Sequence, residues 1–269
     1  MSESNPNYFR VLATGDCVGR PGRRLLREEL PRLREAKQID FVIANIENAT
    51  NGFGLSVKNA EELLACEIDV LSSGDHIKDR REIDAILAST PRLLRPHNYD
   101  DMPGSGVVII EHASGLKIGV ANLMGRAFLA DHGNPLTWAD RCMEELKEAD
   151  LVFVDLHAEA TAEKVALGWY LDGRATGVFG THTHVQTGDE TVLPEGTGYL
   201  TDLGFVGGHR SVLGRQVERV HNYMLQRGKT YMEVASEWPR IDGAIFTVDL
   251  ATKRCISVER VQHAPGEGW

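Results

Sequence analysis

Short apolar runs recur along the chain and stop abruptly at glycine, amide, carboxylate or imidazole residues, the pattern of buried strands ending in turns. Phe9–Thr14, Ile39–Ala44 and Ile68–Leu71 read as the first three strands. They lead into Gly15-Asp16, Glu47-Asn48 and Gly74-Asp75-His76. Between the first two, Gly22–Arg34 carries Leu25, Leu26, Leu30 and Leu33 at helical spacing, with Pro31 placed to kink or shorten that helix. A glycine-rich loop, Thr50–Leu55, precedes Ser56, which is positioned to cap a helix over Val57–Ala65. A short helix is expected over Asp79–Leu87.

The rhythm changes at mid-chain. Gly106–Glu111 and Lys117–Ala121 flank His112-Ala113-Ser114-Gly115 as a hairpin. Thr137 is expected to cap a helix to Lys147, followed by a strand over Leu151–Asp155, a helix over Thr161–Tyr170 and a strand over Ala175–Phe179. Short strands follow at Glu190–Leu193 and Gly198–Thr201, then a helix over Leu213–Met224. The tail reads as strands at Thr230–Val234, Ala244–Val248 and Ser257–Val261. These βα units and the mixed half after them predict an α/β fold in which two sheets share one core and helices lie outside. No Pro-, Gly- or Ser-rich linker divides the chain. One domain over residues 8–265 is therefore expected, behind a short polar extension at residues 1–7.

Composition narrows the function. With 39 acidic and 29 basic residues and a formal charge of -10, the chain is poorly suited to non-specific contact with nucleic acid or anionic membrane. Cys17, Cys66, Cys142 and Cys255 are scattered without CxxC spacing, which argues against structural zinc or a disulfide framework and fits a reducing cytosol. The polar start lacks the basic and apolar regions of a secretory signal, and no apolar run is long enough to cross a bilayer. A cytoplasmic location is expected.

Seven candidate metal ligands fall at or just after strand ends: Asp16, Glu47, Asn48, Asp75, His157, His182 and His184. Two cations held close together need a bridging carboxylate to offset their repulsion. Glu47 suits that role, since Asn48 beside it adds an amide oxygen to one ion. In an extended segment His182 and His184 point to the same side, each serving a different ion. Carboxylate, amide and imidazole donors without thiolate suit iron, manganese or another borderline cation. His76, beside Asp75, has two open roles: proton transfer to a leaving oxygen, or a further ligand. Asp79 is placed to orient it.

These tracts resemble the YmdB-like branch of the calcineurin-like metallophosphoesterases, a bacterial family of dinuclear phosphodiesterases. The resemblance spans nearly the whole chain. It includes Gly15-Asp16-Cys17-Val18-Gly19, Ala44-Asn45-Ile46-Glu47-Asn48, Arg95-Pro96-His97-Asn98-Tyr99 and Asn122-Leu123-Met124-Gly125-Arg126. Its most specific stretches are Ala158–Lys164, Trp169–Arg174, Gly180–Thr187 and Thr201–Gly204.

The resemblance implies a sandwich of two mixed β-sheets flanked by helices (α/β/β/α). It implies two metal ions, iron or manganese, with Asp16, Glu47, Asn48 and His184 on one. The bridging Glu47 with Asp75, His157 and His182 takes the other, and His76 is the proton donor. Val18 stands where the wider superfamily has a histidine, a gap that Asn48 fills. The implied substrate is a small phosphodiester, a 2',3'- or 3',5'-cyclic nucleotide among them, and the implied assembly a homo-oligomer. A metal-dependent phosphomonoesterase and a metal-binding regulatory protein of low turnover remain as alternatives. Arg126 is open between a phosphate contact, a subunit interface and a structural role, and Asn98 and Tyr99 are candidates for contact with a base or sugar. Three positions depart from the family: Asp75 replaces the usual Asn, His97 a small residue, and Phe205-Val206-Gly207-Gly208 a loop that usually reads Met-Thr-Gly-Pro.

Overall fold

The strand runs pair into two sheets facing each other, with the helices on the outer surfaces. The computed structural model describes residues 7–266, so the expected N-terminal extension lies, apart from Asn7, outside the described residues. The chain opens with β1 (Tyr8–Thr14), β2 (Asp16–Cys17), α1 (Gly19–Glu28), α2 (Leu30–Lys37), β3 (Phe41–Asn45), α3 (Val57–Leu64), β4 (Val70–Ser72) and α4 (Asp84–Ser89). The middle supplies β5 (Val107–Glu111), β6 (Lys117–Met124), α5 (Pro135–Glu145), β7 (Leu151–His157), α6 (Thr161–Tyr170), β8 (Gly177–Thr181), β9 (Thr191–Val192) and β10 (Gly198–Leu200). The last part returns through β11 (Phe205–Gly208), α7 (Val217–Met224), β12 (Pro239–Asp249) and β13 (Arg254–His263).

The first sheet runs β2-β11-β12-β1-β3-β4, with β13 on β12, and the second runs β5-β6-β7-β8-β10-β9. β1, β3 and β4 are parallel, as are β6, β7, β8 and β10, so each sheet turns a set of C-terminal strand ends to one rim. Period-two alternation decides what each residue meets. Val11, Ala13, Phe41, Ile43 and Val70 face inward and pack against Phe153, Phe179 and Leu200 of the other sheet. Leu12, Val42 and Ala44 face outward onto Leu25, Leu26, Leu30 and Leu63 of the helices. Val154 and Leu156 likewise meet Ala139, Cys142 and Leu167. The result is a layered α/β/β/α sandwich. Fully burying each Phe or Leu contributes about 1.5–3 kcal/mol, so the interlayer core holds the two sheets, and hence their rims, in register.

Several local expectations are corrected. The helix over Gly22–Arg34 is two helices, because Pro31 has no N–H to continue the ladder and instead sits in the first turn of α2, where none is needed. The cap of α5 is Asn134 rather than Thr137: its side chain accepts from Leu136 N at 3.0 Å, with Pro135 in the first turn. The helix expected from Leu213 begins at Val217, since Leu213 and Gly214 adopt left-handed φ values of 51° and 87°. Thr230–Val234 forms no strand. It makes one isolated bridge, Arg215 to Val234, and Tyr231 stays 81% exposed, so no ladder or buried face supports it. β11 was not legible as a strand and gains its form by pairing with β2 and β12. All four cysteines are free, and no helix among the described residues is long and apolar enough to cross a membrane.

Candidate metal centre

Where the inward-facing rows of the two sheets run out at the shared rim, apolar residues give way to polar ones. Asn45 ends β3, Ser72 ends β4, Asp155 and His157 end β7, and Thr181 ends β8, all buried. Carboxylates hang from the first sheet, at Asp16, Glu47 and Asp75. Imidazoles hang from the second, at His157, His182 and His184. Gly74 is required between them: a Cβ there would stand 2.2 Å from the His157 ring.

Glu47, Asp75, His157 and His182 each offer one ligand atom, all within 4.8 Å of one another. His157 Nε2 lies 3.1 Å from Glu47 Oε1, 3.2 Å from Asp75 Oδ1 and 3.0 Å from His182 Nδ1. Bonds of about 2.0–2.2 Å to one cation separate neighbouring donors by roughly 3.0–3.5 Å, the spacing seen here. Beside this group, His184 Nε2 lies 3.1 Å from Asn48 Oδ1 and 3.8 Å from Asp16 Oδ1. Asp16 Oδ1 is buried and has no hydrogen-bond donor, a costly state for a carboxylate oxygen that a cation would relieve.

Each imidazole is held by its other nitrogen. His184 Nδ1 donates to the Leu213 carbonyl at 3.1 Å, and His182 Nε2 donates to Glu159 at 3.1 Å. Thr181 spends its hydroxyl proton on Asp155 Oδ1 at 2.7 Å, so its oxygen accepts from His157 Nδ1 at 2.9 Å. Ser72 Oγ donates to the second Asp155 oxygen at 2.6 Å. The three inward nitrogens thus face carboxylate and amide oxygens across gaps that a cation, or protons in its stead, would bridge. The charges agree. Burial works against a charged His157, but Glu47, Asp75 and Asp16 outweigh it and hold the imidazole well above its ordinary range. Burial would raise Asp75, but hydrogen bonds from His157 and His182 hold it far below the usual carboxylate range.

The seven sequence candidates thus come together at one rim. The geometry that brings His182 and His184 there differs from the expected one. β8 ends at Thr181, and the two residues adopt left-handed φ values of 98° and 60° instead of extending the strand. His182 N donates to Asp16 Oδ2 at 3.1 Å, while Asp202 accepts from Thr183 N and Oγ1, so tertiary contacts rather than pleating aim the pair. His76 sits beside the group, its Nε2 3.8 Å from Asp75 and its Nδ1 2.8 Å from Asp79, and its backbone N–H donates to Glu47 Oε2. Other candidates are engaged by different partners. Asn98 spends its amide on Met124, His97 contacts Glu145 and Trp138, Tyr99 is buried under Lys78, and the half-exposed Arg126 faces Asp131. Sequence reasoning gave no individual role to Asp155, Lys164 or Asp202 and did not foresee the relay through Thr181; Asp155 stands as a lone carboxylate inside an apolar run, and the other three lie within the stretches that carry the family resemblance.

The sequence pattern of the YmdB-like protein family matches residues 12–261. The chain belongs to this family. Its sandwich is the calcineurin-like phosphoesterase fold, and the protein is a metal-dependent phosphoesterase. It is 40% identical over 259 residues to a 2',3'-cyclic-nucleotide 2'-phosphodiesterase of Bacillus subtilis (strain 168), covering 94% of this chain and 96% of that one. Among solved structures, a hypothetical protein from Thermus thermophilus is 37% identical with a TM-score of 0.87, covering 96% of this chain and all of the other (100%). A novel phosphatase from Mycoplasma pneumoniae superposes equally well, with a TM-score of 0.87 at 32% identity, covering 96% and 94% of the two chains.

Proposed function

We propose that this phosphoesterase is a dinuclear phosphodiesterase acting on nucleotide cyclic phosphates. The observation that carries the dinuclear reading is the division of the donor atoms into two adjacent groups, Glu47, Asp75, His157 and His182 in one and Asp16, Asn48 and His184 in the other. Asp16, Asn48 and His184, with Glu47, would hold one ion. Glu47, Asp75, His157 and His182 would hold the other. The thiolate-free donor set suits iron or manganese. Two such cations, when bound, supply charge stabilisation to a phosphoryl group and a water of lowered pKa.

The chain's own residues supply the rest. Asp79 accepts from His76 Nδ1, which orients the ring and stabilises its protonated form, leaving Nε2 to deliver a proton to the departing ribose oxygen. The Glu47 carboxylate fixes the His76 backbone through its N–H at 3.0 Å, so the proton donor and the centre move as one piece. A diester needs this donor because its leaving alkoxide is strongly basic. The cyclic-nucleotide substrate is supported by the named activity of the Bacillus subtilis relative.

The test is a substrate panel of 2',3'- and 3',5'-cyclic nucleotides, bis-para-nitrophenyl phosphate and its monoester, with added Mn²⁺ or Fe²⁺. Cyclic phosphates should be turned over with higher kcat/KM than the monoester, and elemental analysis should give near two equivalents of metal. Preference for the monoester would overturn the diesterase reading, and one equivalent after metal-replete preparation would overturn the dinuclear one.

A further inference from the structure

The loop after Asn48 pushes one apolar ring out beside the charged centre. Asn51, Gly52 and Gly54 have left-handed φ values of 55°, 81° and 67°, a run that glycine and asparagine tolerate and most side chains do not. This tight turn places Phe53 at its tip, 44% exposed. Its ring meets the His76 ring edge to face, with centroids 5.3 Å apart at 65°.

The turn is braced from far along the chain. Arg215 donates from Nη1 to Asn51 O and to Met232 O, each at 2.9 Å, and from Nη2 to Gly52 O. Its guanidinium carbon lies 3.8 Å from the centroid of the Phe53 ring. Gly52 O also accepts from Asn48 Nδ2 at 3.4 Å, which joins the platform to the ligand group. The ring is therefore fixed by the Arg215 guanidinium over one face and by its contact with the His76 ring, while 44% of the residue stays exposed. Exposing a phenyl ring costs hydrophobic free energy, and phosphate chemistry has no use for one. A flat apolar partner would recover that energy.

We propose that Phe53, held by Arg215, is the surface on which the substrate's nucleobase stacks. This rests on the nucleotide reading given above. The base would lie over the ring while the phosphate occupies the centre and the ribose spans the two, with the leaving oxygen toward His76. Stacking uses the π-face common to all bases, so the platform favours a nucleotide over a base-less phosphodiester without choosing strongly among bases.

The experiment compares adenosine 2',3'-cyclic phosphate with ribose 2',3'-cyclic phosphate, which lacks the base, in the wild type and in Phe53→Leu and Phe53→Trp. Elemental analysis confirms that each variant carries its metal. Phe53→Leu keeps apolar bulk but loses the π-face, and its preference for the nucleotide in kcat/KM should fall by roughly 5- to 150-fold, the usual worth of one stacked base. Phe53→Trp should retain the preference. If Phe53→Leu keeps the wild-type preference, or both substrates lose equally, the ring only packs the loop and the stacking role is overturned. If the wild type hydrolyses neither cyclic phosphate, the cyclic-phosphate reading itself falls, and the platform with it.

Discussion

Lys164 reaches across from α6 to place its ammonium 2.7 Å from the Asp202 carboxylate, with 2% and 1% of the two side chains exposed. Asp202 also accepts from Thr183 N at 3.1 Å and from Thr183 Oγ1 at 2.7 Å, so this buried pair anchors the residue between His182 and His184. Lys164→Met leaves the buried Asp202 charged and without its counter-ion. Removing one partner of such a pair costs about 3–5 kcal/mol, and urea denaturation should record a loss of that size. A loss below about 1 kcal/mol would show that water or another group already solvates Asp202.

Thr181 fixes the proton on His157 Nδ1 by giving its own to Asp155. Thr181→Val removes the relay while nearly preserving shape, and should weaken Mn²⁺ binding by about 10- to 100-fold, the usual effect of losing an outer partner of a ligating histidine. Thr181→Ser, which keeps the hydroxyl, should restore most of it. Competition against a fluorescent chelator measures both, and equal affinities for all three proteins would remove Thr181 from any role in setting the tautomer.

His76→Ala should lower turnover of a cyclic nucleotide by roughly 10²- to 10⁴-fold with metal content preserved, the contribution of a positioned acid. The loss should be much smaller for bis-para-nitrophenyl phosphate, whose leaving group hardly needs a proton. Loss of metal, or equal losses on both substrates, would identify His76 as a ligand or a structural residue instead.

Asp75 sits 3.2 Å from His157 Nε2 and 3.4 Å from His182 Nδ1, within the four-residue group. A carboxylate holds a resting cation more firmly than an amide but leaves less positive charge for a phosphoryl group gaining negative charge. Asp75→Asn should therefore bind a cation in this group less tightly and raise kcat on a diester. Paired measurements of metal affinity and kcat test this, and unchanged values of both would mean that Asp75 does not coordinate.

What the sequence discloses follows from how local each cause is. The ends of β3, β4 and β7 are legible because an apolar run stops at Glu47-Asn48, Asp75-His76 or His157, and the inward or outward sense of each position follows from alternation. Ser56 is legible as the cap of α3 for the same reason: its hydroxyl accepts from Asn59 N, three residues on. The turn through His182 and His184 is not legible, since its left-handed backbone depends on Asp16 and Asp202, far off in the chain. Thr181 carries no signal, a threonine in a strand being ordinary, and its relay exists only because β4, β7 and β8 end at the same depth. Phe205–Gly208 contains two glycines and becomes a strand through its neighbours. Thr230–Val234 has the alternation of a strand, but no sheet offers it a ladder.

The division of the donors between the layers makes the centre a rivet. Carboxylates and amide come from one sheet and imidazoles from the other, so ions gripped as proposed would clamp the sandwich at the rim where its apolar filling ends. Prising the layers apart at that rim would strip each ion of one kind of partner at once. Opening of the loaded protein would then proceed at the pace of ion escape, and strands β3 and β7, on opposite sides of the clamp, would exchange their amide hydrogens in step.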